Sequence, residues 1–357
     1  MPIKQYSLNF KTIHDPKSLG MDSDQLITYG EKILSDFPSC KQALVTRRGK
    51  LVYRYHNSTP RIDPRMLSVS VFYSLLQLFI PHITDTKLNN RGEAWNGRSV
   101  AKCVLSALTG IALEKGIIRS LDQPLDDFLL GIPHDKRNIT LYQLLTMTSG
   151  MPFTDKIPEM PRWLRSKNWI MHLLTLPLIT RPGEKFGYST ANTHLLAGVL
   201  NNQLNGKLYE FAHDEFFTPL GLGKPYWEID PQGIPFGGAN LFLPIEDMLK
   251  IGYLYLQEGQ WEGKQVIPRK WVRESTSAHI HARDQYEYGY AWWLRNFHHP
   301  ASKESIFVYS ALGWAGQRIY VIPQYEIVVA AISLGDLWAK TENLDVLLGQ
   351  FVIPAVG

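Results

Sequence analysis

Cysteine is scarce in this sequence, and its first residues lack a hydrophobic leader. The 357 residues include only two cysteines, Cys40 and Cys103. Cys103 falls in a stretch whose apolar pattern predicts a buried helix, so we expect two free thiols in a reducing compartment rather than a disulfide. The opening residues, MPIKQYSLNF, contain no apolar signal core. These features predict a cytoplasmic protein.

Long apolar runs and blocks of like charge are also missing. The longest apolar run, residues 71–80, is interrupted by polar side chains and is too short to span a bilayer. Lysine and arginine are scattered along the chain and the net charge is only +4, so no basic block of the kind that binds nucleic acid is present. We therefore expect neither a membrane nor a nucleic acid as partner, and the oligomeric state stays open.

The sequence further lacks the motifs of several enzyme classes. The absence of a Gly-x-Ser-x-Gly motif argues against an α/β-hydrolase. No glycine-rich phosphate loop follows a predicted strand. Histidines occur at 279 and 281 and at 298 and 299, but without a carboxylate or cysteine at ligand spacing we interpret them as surface-loop residues. No metal and no cofactor are expected.

The chain is organised around a serine that precedes a lysine by three residues. Ser99 and Lys102 open an apolar stretch that predicts a buried helix running to about Lys115, with Gly116 ending it. The spacing places both side chains on one helix face. A lysine buried there must find a partner or lose its proton, and a neutral lysine beside a serine hydroxyl is a general base beside a nucleophile. Because Ser-x-x-Lys occurs once, as chance alone would produce, the pair taken alone favours a polar helix start with a snorkelling lysine.

The order of the predicted elements indicates the fold class. A helix over residues 22–37 and two strands over 42–55, turned at 48–50, precede the Ser99 helix. Four β-branched and aromatic runs end the chain, and they read YGYAWWL, SIFVYSALG, GQRIYVIP and EIVVAAISL. We predict an α+β fold in which N- and C-terminal strands share one antiparallel sheet, with flanking helices and an inserted helical region. The predicted division is a sheet region of residues 1–95 and 240–357 and a helical region of residues 96–239, which together form one catalytic unit.

The middle of the chain is predicted to be mainly helical. Thr140 is expected to cap a helix that Gly150 ends, and further helices are predicted over residues 163–176, 191–204, 244–257 and 268–275. Residues 83–98 are predicted to be a loop, residues 205–238 are predicted to be loop-rich, and the apolar piece 66–79 fits a helix or a strand. Residues 152–182 contain five prolines and are a candidate lid or pocket wall. Their tryptophans Trp163 and Trp169, like Trp292 and Trp293 near the end of the chain, are interpreted as core residues.

Several stretches in a fixed order resemble the serine β-lactamase and penicillin-binding-protein superfamily. The resemblance spans about residues 42–334, and within that superfamily it is strongest to 6-aminohexanoate-dimer hydrolases and related esterases. The stretches are RSVAK, LEKGIIRSLDQPL, ITLYQLLTMTSGM, RPGEKFGYSTANTHLLAGVL, GGANLFLPIEDMLKIGYLYLQEGQWEGKQVIP, YGYAWW and ALGWAGQRIYVIPQYEIVVA. The resemblance implies a catalytic role for Ser99, Lys102 and Tyr188, with Ser99 as nucleophile.

The resemblance also implies an oxyanion hole. The family's Lys-Thr-Gly or His-x-Gly element, on the edge strand of the sheet, falls on residues 311–313. The backbone N–H groups of Ser99 and Trp314 would then hold the oxyanion. Lys340-Thr341-Glu342 lies beyond the last predicted strand and lacks the glycine.

Two departures from the family pattern bear on the substrate. Thr190 replaces an asparagine that could hold a substrate carbonyl, and Ala311 replaces a cation that would face a substrate carboxylate. Both lower the expectation of a β-lactamase or D-alanyl carboxypeptidase. The predicted function is a cofactor-free serine hydrolase acting on a small ester or amide. The alternatives are those two enzymes and a catalytically silent binding protein of the same fold.

Overall fold

Strands from the two ends of the chain pair with each other. The structure, a computed structural model, describes residues 10, 12–60, 90–152, 154, 159–334 and 342–357. Its large sheet is antiparallel and is built from eight strands: β1 (Cys40–Arg47), β2 (Lys50–His56), β8 (Ile280–Arg283), β9 (Tyr286–Tyr288), β10 (Trp293–His298), β11 (Ser305–Gly313), β12 (Gln317–Ile322) and β13 (Ile327–Ser333). The strand order is β2-β1-β13-β12-β11-β10-β9-β8, and Val45 of β1 faces Val329 of β13. The predicted sheet is confirmed.

The remaining strands of the described residues form two small sheets. β3 (Asn90–Arg91), β4 (Ala94–Asn96) and β5 (Phe242–Leu243) form one, and β6 (Gln260–Trp261) with β7 (Lys264–Gln265) forms a hairpin. The prediction of a loop over residues 83–98 is therefore wrong for residues 90–96, because Gly92 adopts φ 63° and turns β3 back onto β4. The apolar piece 66–79 lies outside the described residues.

The helices lie on both faces of the sheet. They are α1 (Ser23–Asp36), α2 (Ala101–Glu114), α3 (Leu141–Leu145), α4 (Glu159–Arg165), α5 (Trp169–Thr175), α6 (Thr190–Gln203), α7 (Leu208–Ala212), α8 (Ile245–Leu256), α9 (Arg269–Ser275) and α10 (Glu342–Leu347). Successive side chains of a strand point to opposite faces of the sheet, so alternate residues contact different helices. Val328 and Ala330 pack towards α2 and α8, whereas Ile327 and Val329 pack towards α1 and α10. The result is a helix–sheet–helix sandwich with two apolar cores, which confirms the fold class.

The helix that follows Ser99 forms as predicted. Residues 98–100 make a 3₁₀ turn that leads into α2, and all but the last two residues of α2 are buried. Gly116, with φ 69°, follows the end of α2. The helix predicted over residues 22–37 is α1, where the Asp22 carboxylate accepts the backbone N–H of Asp24 at 2.7 Å.

Two helix predictions need correction. Thr140 does cap α3, in a capping box with Gln143, but the helix ends at Leu145 because Met147 already adopts φ 58°. Gly150 instead packs against the backbone of Thr180, whose carbonyl oxygen would lie 2.3 Å from a Cβ at that position. The single helix predicted over residues 163–176 is instead parts of α4 and α5, since Asn168 caps α5. The loop-rich residues 205–238 also contain α7 and a π-helical turn over residues 213–217.

One strand prediction also needs correction. The run YGYAWWL is not one strand, because Ala291 adopts φ 68° and turns the chain between β9 and β10. The turn lets Trp293 pair with Tyr288. Among the described residues, no helix is both long enough and apolar enough to cross a lipid bilayer.

Candidate active site

Ser99 lies in a tight turn where the small sheet gives way to α2. The turn is anchored by the N–H of Gly97, which donates to the carbonyl of Leu241 at 2.8 Å, and by the N–H of Val100, which donates to the carbonyl of Gly97 at 3.0 Å. Arg98, the residue before the serine, adopts a left-handed conformation with φ 52°. Ser99 itself is only partly buried.

Lys102 is the most enclosed charged side chain of the site. It is 1% exposed, and its Nζ lies 3.2 Å from the Ser99 Oγ. Nζ also donates to the Thr190 Oγ1 at 2.9 Å and to the carbonyl oxygen of Gly238 at 2.7 Å. The lysine nitrogen therefore contacts the Ser99 hydroxyl, the Thr190 hydroxyl and a backbone carbonyl.

The two other partners of Lys102 come from distant parts of the chain. Thr190 is the first residue of α6, which Ser189 caps by accepting the N–H of Ala191 at 3.3 Å. Gly238 has to be a glycine, because a Cβ there would lie 2.2 Å from the Thr190 Cγ2. Sequence reasoning missed both as partners of the lysine. It treated Thr190 only as the loss of an amide, and the available signal for Gly238 was the glycine pair in the stretch GGANLF.

Tyr188 stands on the other side of the lysine. The Lys102 Nζ lies 5.1 Å from the centroid of the Tyr188 ring, within range of a cation–π interaction. The ring packs against Trp293 at 5.5 Å and Tyr288 at 6.4 Å between centroids. Burial raises the pKa of Tyr288 well above its ordinary value, so this neighbour stays a neutral phenol. The structure thus brings Ser99, Lys102 and Tyr188 together.

The end of β11 reaches the serine turn. Gly313 closes β11, and a Cβ there would lie 2.6 Å from the carbonyl oxygen of Gly97. Trp314 follows in a 3₁₀ turn and is 42% exposed, with its ring 5.5 Å from the Arg98 guanidinium carbon. The chain after Gly313 therefore lies beside the turn that carries Ser99.

The strand that carries residues 311–313 is not an edge strand, so that prediction is wrong. β11 lies between β10 and β12 in the sheet. Its pairing with β10 stops at Ser310, opposite Trp293, while its pairing with β12 continues to Gly313. The last three residues of β11 thus extend past the end of β10. At this end β11 pairs with β12 but no longer with β10.

No cation replaces the family's lysine or histidine on β11 itself. Ala311 is fully buried. Arg318, on the neighbouring strand, is 3% exposed and donates from Nη1 to the carbonyl of Gly313 at 2.5 Å and to that of Gln317 at 2.9 Å. Arg318 therefore braces the end of β11 instead of reaching towards Ser99.

Other predicted features lie away from this site. His281 and His298 belong to β8 and β10, so the interpretation of all four histidines as loop residues is wrong for these two. Trp163 and Trp169 are buried and pack around His194, which confirms the interpretation of these two tryptophans as core residues. Lys340 and Thr341 lie outside the described residues.

Comparison with known proteins identifies the family and the fold. The beta-lactamase family model matches residues 41–348. A protein named as a 6-aminohexanoate-dimer hydrolase from Bacillus anthracis has a similar structure, with a TM-score of 0.65 and 19% identity over 89% of this chain and 81% of that one. A penicillin-binding protein from Bacillus halodurans gives a TM-score of 0.64 at 17% identity, covering 89% of this chain and 98% of its own. The hydrolase EstCE1, which has promiscuous acyltransferase activity, gives 0.65 at 14% identity, covering 96% and 99%. At these identities the likeness to the solved structures shows the fold.

Proposed function

Since the chain belongs to the beta-lactamase family of serine hydrolases, we propose that it cleaves an ester or amide bond of a small substrate through an acyl-enzyme. One observation carries the proposal: the buried Lys102 Nζ is held 3.2 Å from the Ser99 Oγ by two acceptors that take no part in chemistry. A nucleophile beside a fixed base is the arrangement that activates a serine hydroxyl.

The positions of the two acceptors define how Lys102 acts as a base. As a neutral amine, Lys102 donates its two hydrogens to the Thr190 Oγ1 and the Gly238 carbonyl. Its lone pair then faces the Ser99 hydroxyl, 3.2 Å away.

The reaction proceeds in two halves. The Ser99 Oγ forms a bond to the substrate carbonyl carbon as its proton passes to the Lys102 Nζ. The tetrahedral oxyanion collapses, the bond to the leaving group breaks, and the leaving alcohol or amine takes the proton. A water molecule then attacks the acyl-enzyme, giving its proton to the same base, and the released Ser99 oxygen recovers that proton as the acid departs.

Tyr188 and Trp314 have supporting roles in the proposal. Tyr188 passes the proton that Lys102 has taken from Ser99 on to the leaving group, and its support is the Lys102 Nζ, 5.1 Å from the centroid of its ring. The N–H groups of Ser99 and Trp314 hold the oxyanion. The support for this oxyanion hole is the close approach of Gly313, the residue before Trp314, to the carbonyl of Gly97.

The rival functions have less support. A β-lactamase or D-alanyl carboxypeptidase binds a carboxylate, whereas Ala311 offers no charge and Arg318 is occupied by backbone carbonyls. A catalytically silent binding protein has no need for a buried lysine fixed against a serine. We also propose a cytoplasmic location, supported by the two buried free thiols; recovery of the protein in a secreted fraction would contradict it.

A covalent probe tests the proposal. A fluorophosphonate should add one label to the protein, visible by intact-mass spectrometry, and peptide mapping should place it on Ser99. Ser99→Ala should abolish labelling, whereas Ser106→Ala, which alters a buried serine within α2, should keep it. Labelling that survives in Ser99→Ala, or no labelling of the unmodified protein, would exclude the acyl-enzyme.

A further inference from the structure

A chain of buried polar side chains runs behind the nucleophile. The Glu228 Oε2 accepts a hydrogen bond from the Asn240 Nδ2 at 2.5 Å, and the Asn240 Oδ1 accepts one from the Asn96 Nδ2 at 2.9 Å. The Asn96 Oδ1 accepts the backbone N–H of Arg98 at 2.9 Å. The three side chains are 4%, 5% and 2% exposed, so this chain is sealed from solvent. It ends on the residue immediately before Ser99.

The direction of each hydrogen bond is fixed by the glutamate. The Glu228 Oε2 accepts, so Asn240 turns its Nδ2 towards Glu228 and its Oδ1 towards Asn96. Asn96 must then donate to Asn240 with its Nδ2, which leaves its Oδ1 facing the Arg98 N–H. The acceptor at Glu228 thus determines that Asn96 presents its Oδ1 to the backbone N–H of Arg98.

The backbone at the end of this chain needs such support. Arg98 has φ 52°, a left-handed conformation that is sterically unfavourable for a non-glycine residue. Asn240, one link back, also has a left-handed φ of 58°. Residues in sparsely populated conformations persist only where their surroundings hold them, and they cluster at active sites.

The segment that supplies this support is the one that also holds the lysine. Residues 226–241 provide Glu228 and Asn240, the Leu241 carbonyl that binds the Gly97 N–H, and the Gly238 carbonyl that binds Lys102. The N–H of Glu228 donates to the carbonyl of Asn240 at 3.1 Å, so the two ends of the segment are tied together. Nucleophile and base are therefore positioned by one piece of chain.

We propose that Asn96, Asn240 and Glu228 are positioning residues that hold the Arg98 backbone and thereby aim the Ser99 hydroxyl at Lys102. The inference rests on the proposed function for its effect on catalysis. None of the three side chains touches the reacting atoms.

Labelling kinetics give the first test. Asn96→Ala removes the acceptor for the Arg98 N–H, and the rate constant for fluorophosphonate attachment should fall about 10²-fold, as expected for a displacement of about 1 Å. Affinity for the probe should not change, because the probe's own contacts remain. Glu228→Ala should slow attachment in the same way. Glu228→Gln should restore it, because the amide oxygen can still accept from Asn240.

A double variant and a matched control separate positioning from general destabilisation. Asn96→Ala combined with Glu228→Ala should label no more slowly than either single variant, since both break the same chain. Asn202→Ala removes a side-chain hydrogen bond to the Phe128 carbonyl at the far end of α6 and should leave labelling unchanged. Asn96→Ala labelled as fast as the unmodified protein, or an equal loss in Asn202→Ala, would overturn the proposal.

Amide exchange tests the same inference without any catalysis. The Arg98 amide should be protected from hydrogen–deuterium exchange in the unmodified protein and lose that protection in Asn96→Ala. If the unmodified protein is not labelled by the probe, the proposed function fails, and this measurement alone decides the positioning role. Lost protection supports it, and unchanged protection refutes it.

Discussion

Lys102 is buried, and its Nζ contacts the Ser99 hydroxyl, the Thr190 hydroxyl and the Gly238 carbonyl. Burying a lysine nitrogen costs free energy unless hydrogen bonds satisfy it. The distinction between a structural and a catalytic lysine can be measured directly.

Lys102→Ala should lower the turnover of p-nitrophenyl butyrate by several orders of magnitude, as seen when one member of a catalytic unit is removed. Thr190→Val keeps the shape of the side chain at position 190 but removes the hydroxyl that accepts from Lys102. It should lower turnover less than Lys102→Ala does. Steady-state kinetics on both variants, with circular dichroism to check folding, give the comparison. A loss of less than tenfold in Lys102→Ala would make the lysine a structural residue.

Glu228 supplies a second prediction at the scale of a residue. Burial is the main cause that raises the pKa of this carboxyl from its ordinary 4.5 to about 7, and the Asn240 hydrogen bond opposes the shift. Between these pH values the folded protein binds the proton more tightly than the unfolded chain does. The free energy of unfolding should therefore fall as pH rises from about 4.5 through about 7 and level off above that.

Glu228→Gln removes this ionisation. The free energy of unfolding of the variant minus that of the unmodified protein should increase by up to about 3 kcal/mol as pH rises from about 4 to about 8. Urea unfolding at several pH values measures the difference. Asp345→Asn is a useful comparison, because burial also raises the pKa of Asp345 to about 7 on the opposite face of the sheet. A difference between Glu228→Gln and the unmodified protein that does not vary with pH would contradict the prediction.

At the scale of an element, the end of β11 has two roles. It packs against the serine turn through Gly313, and it places Trp314 at the surface beside that turn. Arg318 secures the arrangement by donating to the Gly313 carbonyl. A strand that stops next to a nucleophile can offer a backbone N–H to a developing oxyanion.

Gly313→Ala should therefore damage catalysis more than stability. The added Cβ would lie 2.6 Å from the Gly97 carbonyl oxygen, and both partners are backbone, so the strand end or the serine turn must move. A displacement of this kind should lower kcat about 10²-fold. Gly187→Ala is the matched control, because a Cβ at Gly187, next to Tyr188, would come no closer than 3.9 Å to the Met151 carbonyl oxygen. Equal activity in Gly313→Ala and Gly187→Ala would show that the end of β11 has no role in catalysis.

At the scale of the whole molecule, substrate choice depends on how the sheet meets the helical region. The site draws on the serine turn, α2, the start of α6, the segment 226–241 and β11. Ala311 on β11 is buried and uncharged, and Arg318 on β12 is 3% exposed and donates from Nη1 to two backbone carbonyls. β11 therefore offers no charged side chain at the position where the family has a cation.

Neutral short-chain esters should consequently be preferred over a penicillin-like substrate. A charge-assisted hydrogen bond contributes roughly 1.5–3 kcal/mol, so its absence should cost about one to two powers of ten in kcat/KM for a carboxylate-bearing substrate. We expect p-nitrophenyl acetate or butyrate to be hydrolysed with a clearly higher kcat/KM than nitrocefin. If nitrocefin is turned over equally well, β-lactamase becomes the leading function, and Arg98→Ala would test whether the guanidinium beside Trp314 supplies the cation.

The sequence alone determined the features that depend on local spacing. The three-residue separation of Ser99 and Lys102 fixes their shared helix face, and the alternation in the terminal runs predicts strands whose two faces meet different cores. The boundaries of β11 and of α1 follow from the same local signals. The order of elements was enough to predict one sheet built from both ends of the chain.

Tertiary structure alone decided the surroundings of the nucleophile. Thr190 and Gly238 reach Lys102 across 88 and 136 residues, and Asn240 reaches Asn96 across 144. Such contacts leave no periodic pattern, because their geometry depends on how whole elements pack and on where glycine permits two backbones to approach. The same reason explains why the position of β11 inside the sheet was mispredicted. Strand order is set by pairing across the entire fold, and no local run of residues encodes it.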